Sequence, residues 1–196
     1  GEIAVRILRT AHDMGLRTAA VYSDDDAASL HTRMADEAVA LPGEGAAAYL
    51  AGERVIEAAL AAGVDAVHPG YGFLSEQAHF AAACEASGLV FVGPGANLLA
   101  LLGDKVAARE AATAAGIPVL PGTAGPTTLE QAGEFLAASE GAPIILKAVA
   151  GGGGRGVRVV ATAEDLAVAF PRAESEAKAA FGDGSLYCER LVTQAR

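Results

Sequence analysis

One stretch has a composition that already implies chemistry. Gly151-Gly152-Gly153-Gly154-Arg155-Gly156 is fed by the apolar run Ile144-Ile145-Leu146 and by Lys147. Each glycine gives up several tenths to about 1 kcal/mol of backbone freedom relative to alanine, so a chain keeps such a run where it must turn sharply or approach a ligand closely. Gly151, Gly153 and Gly156 satisfy the dinucleotide pattern G-x-G-x-x-G, but that pattern needs a helix directly after the glycines. Here Val157-Arg158-Val159-Val160 follows, and it reads as a strand. No Gly-Lys-Ser/Thr closes the run as in a P-loop, and Arg158 stands where a kinase glycine loop carries valine. The remaining reading is a hairpin lid whose amides fold over phosphates, with Arg155 adding positive charge.

The cations sharpen this reading. Only three lysines occur, Lys105, Lys147 and Lys178. A lysine in an apolar strand, as at Lys147, is costly to bury unless an anion meets it. Lys105 follows Gly103-Asp104 at a helix start, where free amides and the helix dipole favour an anion. Lys178 lies beside Glu174 and Glu176 on a charged, solvated helix face. Cys84 and Cys188 form no CxxC or Cys/His cluster and read as reduced packing residues.

The elements that must position these groups follow from periodicity and punctuation. Ile3, Ala4, Ile7, Leu8 and Ala11 predict a helix closed by Gly15. Strands are expected at Arg17–Tyr22, Ala38–Leu41, Val64–Val67 and Leu89–Val92, with helices over Tyr49–Ala62 and from Glu76 to about Ala86. That alternation with short Gly-rich links predicts an open, parallel α/β sheet over residues 1–102. From 103 to 196 the order changes. Helices are expected at Asp104–Ala115, at Thr128–Ser139 with Thr128 as N-cap, and at Thr162–Ala180. Strands are expected at Ile144–Ala148, Val157–Val160 and Ser185–Cys188, giving an α+β second half.

Charge and hydropathy exclude several classes. A net charge of -10 and a pI of about 4.8 argue against a nucleic-acid binder. No run of ~18 apolar residues suggests a membrane span, and Gly1-Glu2-Ile3-Ala4-Val5-Arg6 lacks the features of a signal peptide. A cytoplasmic location is therefore expected. The missing initiator methionine suggests a segment of a longer polypeptide.

Four motifs together resemble the biotin carboxylase family, the ATP-grasp component of acyl-CoA and pyruvate carboxylases. They are Gly1-Glu2-Ile3-Ala4-Val5-Arg6-Ile7, His68-Pro69-Gly70-Tyr71-Gly72-Phe73-Leu74-Ser75-Glu76, Gly103-Asp104-Lys105, and Lys147 through Gly156. The resemblance runs over essentially the whole chain, and the HPGYGFLSE string is its most specific part. It implies a Rossmann-like preATP-grasp domain over 1–102, lacking its first strand, followed over 103–196 by the α+β lid subdomain of an ATP-grasp fold. Lys105 and Lys147 match lysines that contact ATP phosphates, and Gly153 and Gly154 fall in the lid. Glu189, Arg190, Leu191 and Val192 match the hinge lining the adenine, with Glu189 facing its amino group. Tyr71 and Gly72 match the rim where biotin docks, His68 is a turn residue, and Glu76 opens its helix.

The implied reaction is ATP-dependent carboxylation of biotin by bicarbonate through carboxyphosphate, with Mg²⁺ bridging phosphates. The implied partners are a biotin carboxyl carrier protein or domain and a carboxyltransferase, in a homo-oligomeric full-length protein. No catalytic residue and no Mg²⁺ ligand is expected within these 196 residues, so the segment alone is expected not to turn over. Val192-Thr193-Gln194-Ala195 also lacks the proline often found there in the family. Two other readings remain open: another ATP-grasp ligase, such as a carbamoyl-phosphate synthetase, and a degenerate, non-catalytic nucleotide-binding module. The HPGYGFLSE string favours biotin carboxylase over the other ligase, and the residues encoded beyond Arg196 would separate an enzyme from a degenerate module.

Overall fold

The computed structural model describes residues 1–150 and 157–193. They divide into two compact units, Gly1–Gly103 and Asp104–Arg196. In the first, helix α1 (Glu2–Asp13) leads to strand β1 (Ala19–Ser23), helix α2 (Leu30–Met34), strand β2 (Glu37–Leu41) and helices α3 (Gly45–Leu50) and α4 (Gly52–Ala61). Strand β3 (Ala66–Val67), helix α5 (Ala78–Ala86), strand β4 (Val90–Phe91) and helix α6 (Ala96–Gly103) complete it. The strands pair in parallel as expected, Ala19 opposite Glu37 through Ser23 opposite Leu41, and Ala66 opposite Val90. Among the described residues, however, they form two separate two-stranded sheets, β1–β2 and β3–β4, instead of one open sheet. The core gathers Leu41, Val55, Ile56, Leu74, Phe80, Cys84 and Phe91. Phe80 meets Phe91 edge to face at 6.0 Å and 81°, the orientation that the ring quadrupoles favour.

Three local expectations need correction. The helix expected over Tyr49–Ala62 is broken at Ala51 (φ -77°, ψ 75°) into α3 and α4. The cause is close packing: a Cβ on Gly52 would come within 2.9 Å of the Phe80 ring, so the chain resets its direction where only glycine fits. Glu76 does not open α5. Phe73–Glu76 forms a 3₁₀ turn anchored by buried Leu74, and the extended Gln77 separates it from Ala78. Between the strands expected at Arg17–Tyr22 and Ala38–Leu41 the chain forms a second 3₁₀ turn, Asp24–Asp26, and helix α2, while α6 had no counterpart among the expected elements.

The second unit follows the sequence more closely. Helices α7 (Lys105–Ala114) and α8 (Leu129–Ala138) precede strands β5 (Ile144–Ala148) and β6 (Val157–Val160), helix α9 (Ala163–Phe181) and strand β7 (Leu186–Arg190). Thr128 caps α8 in a reciprocal capping box with Gln131. The strands form one antiparallel sheet in the order β6-β5-β7. Alternation along β5 sends Ile144, Leu146 and Ala148 into a core with Leu186, Cys188, Ala132, Leu166, Phe170, Ala173 and Ala177. Ile145 and Lys147 therefore belong to the other face.

Candidate nucleotide site

Strand period brings Lys147 of β5 and Tyr187 and Glu189 of β7 to the sheet face away from that core. Lys147 lies opposite Tyr187, and Ile145 opposite Glu189, so Lys147 and Glu189 are diagonal neighbours within reach of long side chains. They form an ion pair, Lys147 Nζ with Glu189 Oε2. The other carboxylate oxygen, Oε1, accepts from Arg109 Nη1 of α7 at 2.9 Å. Arg109 Nη2 donates to the Leu120 carbonyl at 2.7 Å. Glu189 is only 7% exposed, and a carboxylate so buried demands this pairing.

A connecting segment lies along the free edge of β7 and fixes the carboxylate further. Arg190 N donates to Pro121 O at 2.8 Å, Thr123 N to Cys188 O at 2.9 Å, and Cys188 N to Thr123 Oγ1 at 3.0 Å. Gly122 bridges Glu189 directly, and a Cβ there would sit 2.8 Å from the Cys188 carbonyl oxygen. The Tyr187 hydroxyl is pushed up to about 12, by burial first and by the Glu189 charge second, against a smaller opposing effect of Arg109. It is therefore a neutral group near neutral pH.

Helix α7 brings the second lysine. Lys105 Nζ reaches the Val149 carbonyl, just past β5, at 3.4 Å. The helix start itself is not open to an anion as expected, because Asp104 accepts from Val106 N at 2.9 Å and Ala107 N at 3.0 Å. The chain's own carboxylate serves as the N-cap, so the attraction for an anion lies in the side chains. Among the described residues, Lys147 and Arg109 both meet the carboxylate of Glu189.

Thus Lys105, Lys147 and Glu189, 84 residues apart in sequence from first to last, are gathered by α7, β5 and β7. Arg190 is exposed and Val192 is 47% exposed. Leu191 is held through its backbone, its amide donating to Pro143 O at 2.9 Å. Gly153, Gly154 and Arg155 lie outside the described residues. In the first unit Tyr71 is 76% exposed and Gly72 adopts φ 73°. The next residue, Phe73, takes φ 50°, a left-handed conformation that costs a bulky side chain energy. His68 Nδ1 accepts from Gly70 N at 3.1 Å, which gives it the turn role read from the sequence. Among the described residues no three His, Cys, Asp or Glu side chains gather as a metal-holding group. Sequence reasoning missed Arg109. It lies one helical turn beyond Lys105 and so shares its face, but its partner is 80 residues away.

Comparison with known proteins places this geometry. Residues 1–99 match the family described as "Biotin carboxylase, N-terminal domain", and residues 104–196 match "Carbamoyl-phosphate synthase L chain, ATP binding domain". Pyruvate carboxylase 1 of Caenorhabditis elegans is 52% identical over all of this chain, and pyruvate carboxylase of Bacillus subtilis 51% identical over 98% of it. The chain spans 17% of the length of each. A biotin carboxylase–β,γ-ATP complex from Campylobacter jejuni superposes with a TM-score of 0.92 at 42% identity, covering 98% of this chain and 44% of that one. The biotin carboxylase domain of Hydrogenobacter thermophilus 2-oxoglutarate carboxylase, a dimer with MgADP, ADP and bicarbonate, gives 0.89 at 40% identity, covering 98% and 43%. No helix among the described residues is long and apolar enough to cross a membrane. With half of its length matched by the family's N-terminal domain and all of it by solved biotin carboxylases, the chain belongs to the biotin carboxylase family.

Proposed function

We propose that this chain supplies the nucleotide-holding part of a ligase that carboxylates biotin with bicarbonate at the expense of ATP and Mg²⁺, within a pyruvate or acyl-CoA carboxylase. Residues 1–102 form its preATP-grasp domain and residues 103–196 the first part of its ATP-grasp domain, with the lid. The observation that carries this reading is the gathering of Lys105, Lys147 and Glu189 in one unit. Lys105 and Lys147 offset the charge of the phosphates, the electrostatic work that dominates phosphoryl transfer. Glu189 accepts from the adenine amino group, while Arg190, Leu191 and Val192 line the base through the backbone of the hinge. Tyr71 and Gly72 belong to the rim where biotin, borne on a carrier protein or domain, approaches. A carboxyltransferase takes the carboxyl group onward, and the whole protein works as a homo-oligomer, in keeping with the dimer of the Hydrogenobacter relative. A reducing, cytoplasmic setting suits two buried free thiols.

Titrating the chain with MgATP tests this, with Lys147→Ala as the comparison. Glu189 keeps Arg109 in that variant, so the fold is expected to survive. A loss of tenfold or more in affinity is expected; unchanged affinity would sink the assignment. The match of residues 104–196 to a carbamoyl-phosphate synthase domain favours a second reading, an ATP-grasp ligase with another acceptor. Biotin-dependent ATP cleavage by a longer polypeptide containing this chain separates the two, and the match of residues 1–99 favours biotin.

A further inference from the structure

Arg109 has no part in the nucleotide contacts proposed above, yet it is joined to them through Glu189. We infer that Arg109 is a positioning residue that keeps Glu189 paired when Lys147 leaves it for a nucleotide phosphate. The inference rests on the reading of Lys147 as a phosphate ligand. In this structure Lys147 is committed to Glu189 Oε2, so engaging a phosphate requires an exchange of partners. A carboxylate 7% exposed that is left without a cation carries a large desolvation cost. Arg109, at 2.9 Å from Oε1, removes that cost by remaining as counter-charge.

The geometry suits the role. A guanidinium stays charged at any accessible pH and holds a planar fork. Its second arm is tied to the Leu120 carbonyl at 2.7 Å, so it does not follow Lys147 toward an incoming phosphate. Three groups face Glu189 among the described residues: Arg109 from α7, Lys147 from β5, and the neutral Tyr187 hydroxyl from β7 itself. The segment from Ile117 to Thr127 along the other edge of β7 carries no charged side chain. Once Lys147 departs, Arg109 is the cation that stays paired with the carboxylate.

Removing that cation leaves Glu189 with Lys147 alone. In Arg109→Met the lysine cannot move to a phosphate without stranding a buried carboxylate, so nucleotide affinity falls while the free chain keeps its Lys147–Glu189 pair.

The test is MgATP affinity of the 196-residue chain and of Arg109→Met, by calorimetry. The expected result is a variant about tenfold weaker than the parent. Arg109→Lys, which keeps a charge, restores most of the loss. In a Glu189→Gln background the Arg109→Met effect disappears, because no carboxylate is left to neutralise. A loss that Arg109→Lys does not restore, or one that persists in the Glu189→Gln background, means that Arg109 only braces the fold and overturns the inference. Failure of the parent chain to bind MgATP overturns the nucleotide reading and this inference together. Binding that survives Lys147→Ala unchanged removes the lysine exchange alone.

Discussion

Lys147 and Glu189 lie diagonally across the β5–β7 ladder and hold each other, the lysine on one carboxylate oxygen and Arg109 on the other. The family resemblance gives these two residues separate tasks, one on phosphate and one on adenine. In this structure each is the other's counter-ion. An anion entering beside Lys147 competes with an existing partner, and its measured affinity is net of that competition. The costly burial of a strand lysine, visible in the sequence, is thus compensated within the chain before any ligand arrives.

Gly122 sets how closely the connecting segment approaches β7. A Cβ there would stand 2.8 Å from Cys188 O, 3.0 Å from Arg109 Nη2 and 3.1 Å from Glu189 Cγ. The carbonyl is backbone and cannot swing aside, so Gly122→Ala must push the segment off the strand edge and weaken the Thr123 N–Cys188 O and Arg190 N–Pro121 O bonds. A destabilisation of about 1–3 kcal/mol is expected from such overpacking, with faster hydrogen exchange at the Arg190 amide. Gly125→Ala is the control, since nothing lies within 4 Å of its Cβ. Equal urea midpoints for the two variants would contradict this account.

The sequence was most legible where local signals and tertiary demand agree. Strands β5 and β6 match the expected bounds, because alternating burial and β-branched residues leave little choice. Thr128 caps α8 as read, because a threonine three residues before a glutamine is a complete local device. Helix α4 could not be bounded, because its start depends on the Phe80 ring packed on Gly52, which no local pattern encodes. The same limit hid Arg109. Lys105 and Lys147 stood out as rare residues in telling positions, whereas Arg109 is one of many arginines and its meaning lies wholly in Glu189, a long-range partner. Asp104, read as part of a motif, turned out to occupy the amides that the helix start seemed to offer.

Alkali should unfold the second unit through two buried acids. Burial pushes the Cys188 thiol up to about 11 from an ordinary value of 9.0, and Tyr187 rises to about 12 from 10.0. Raised acids stay protonated in the folded chain while the unfolded chain has already lost those protons. Stability is therefore full below about pH 9 and falls as pH rises through 11 to 12. Urea midpoints measured from pH 8 to 11 should decline, and Cys188→Ala should flatten part of the decline. At pH 8 neither thiol should react with a disulfide reagent until urea is added, because both cysteines are buried. Prompt labelling of the folded chain at either cysteine would show that its burial does not protect it.

Acid should act on the first unit through His31. The imidazole is only 2% exposed and its Nδ1 has no hydrogen-bond partner among the described residues. Burial lowers its pKa below the ordinary 6.5, while a backbone hydrogen bond with Val21 and the Asp26 charge oppose it. Below pH 6.5 the unfolded chain takes up a proton at this histidine that the folded chain resists, so stability falls as pH drops through that window. Asp25, Asp26 and Asp36 are held below their ordinary 3.8 by hydrogen bonds from Ser23, Tyr49 and Thr18. Their loss of stability comes at lower pH and does not overlap. Urea unfolding of the chain between pH 7.5 and 5 should show the decline, and His31→Leu, which cannot titrate, should abolish it while leaving the fold detectable by circular dichroism. An undiminished slope in His31→Leu would place the acid sensitivity elsewhere and leave the buried imidazole a neutral packing group.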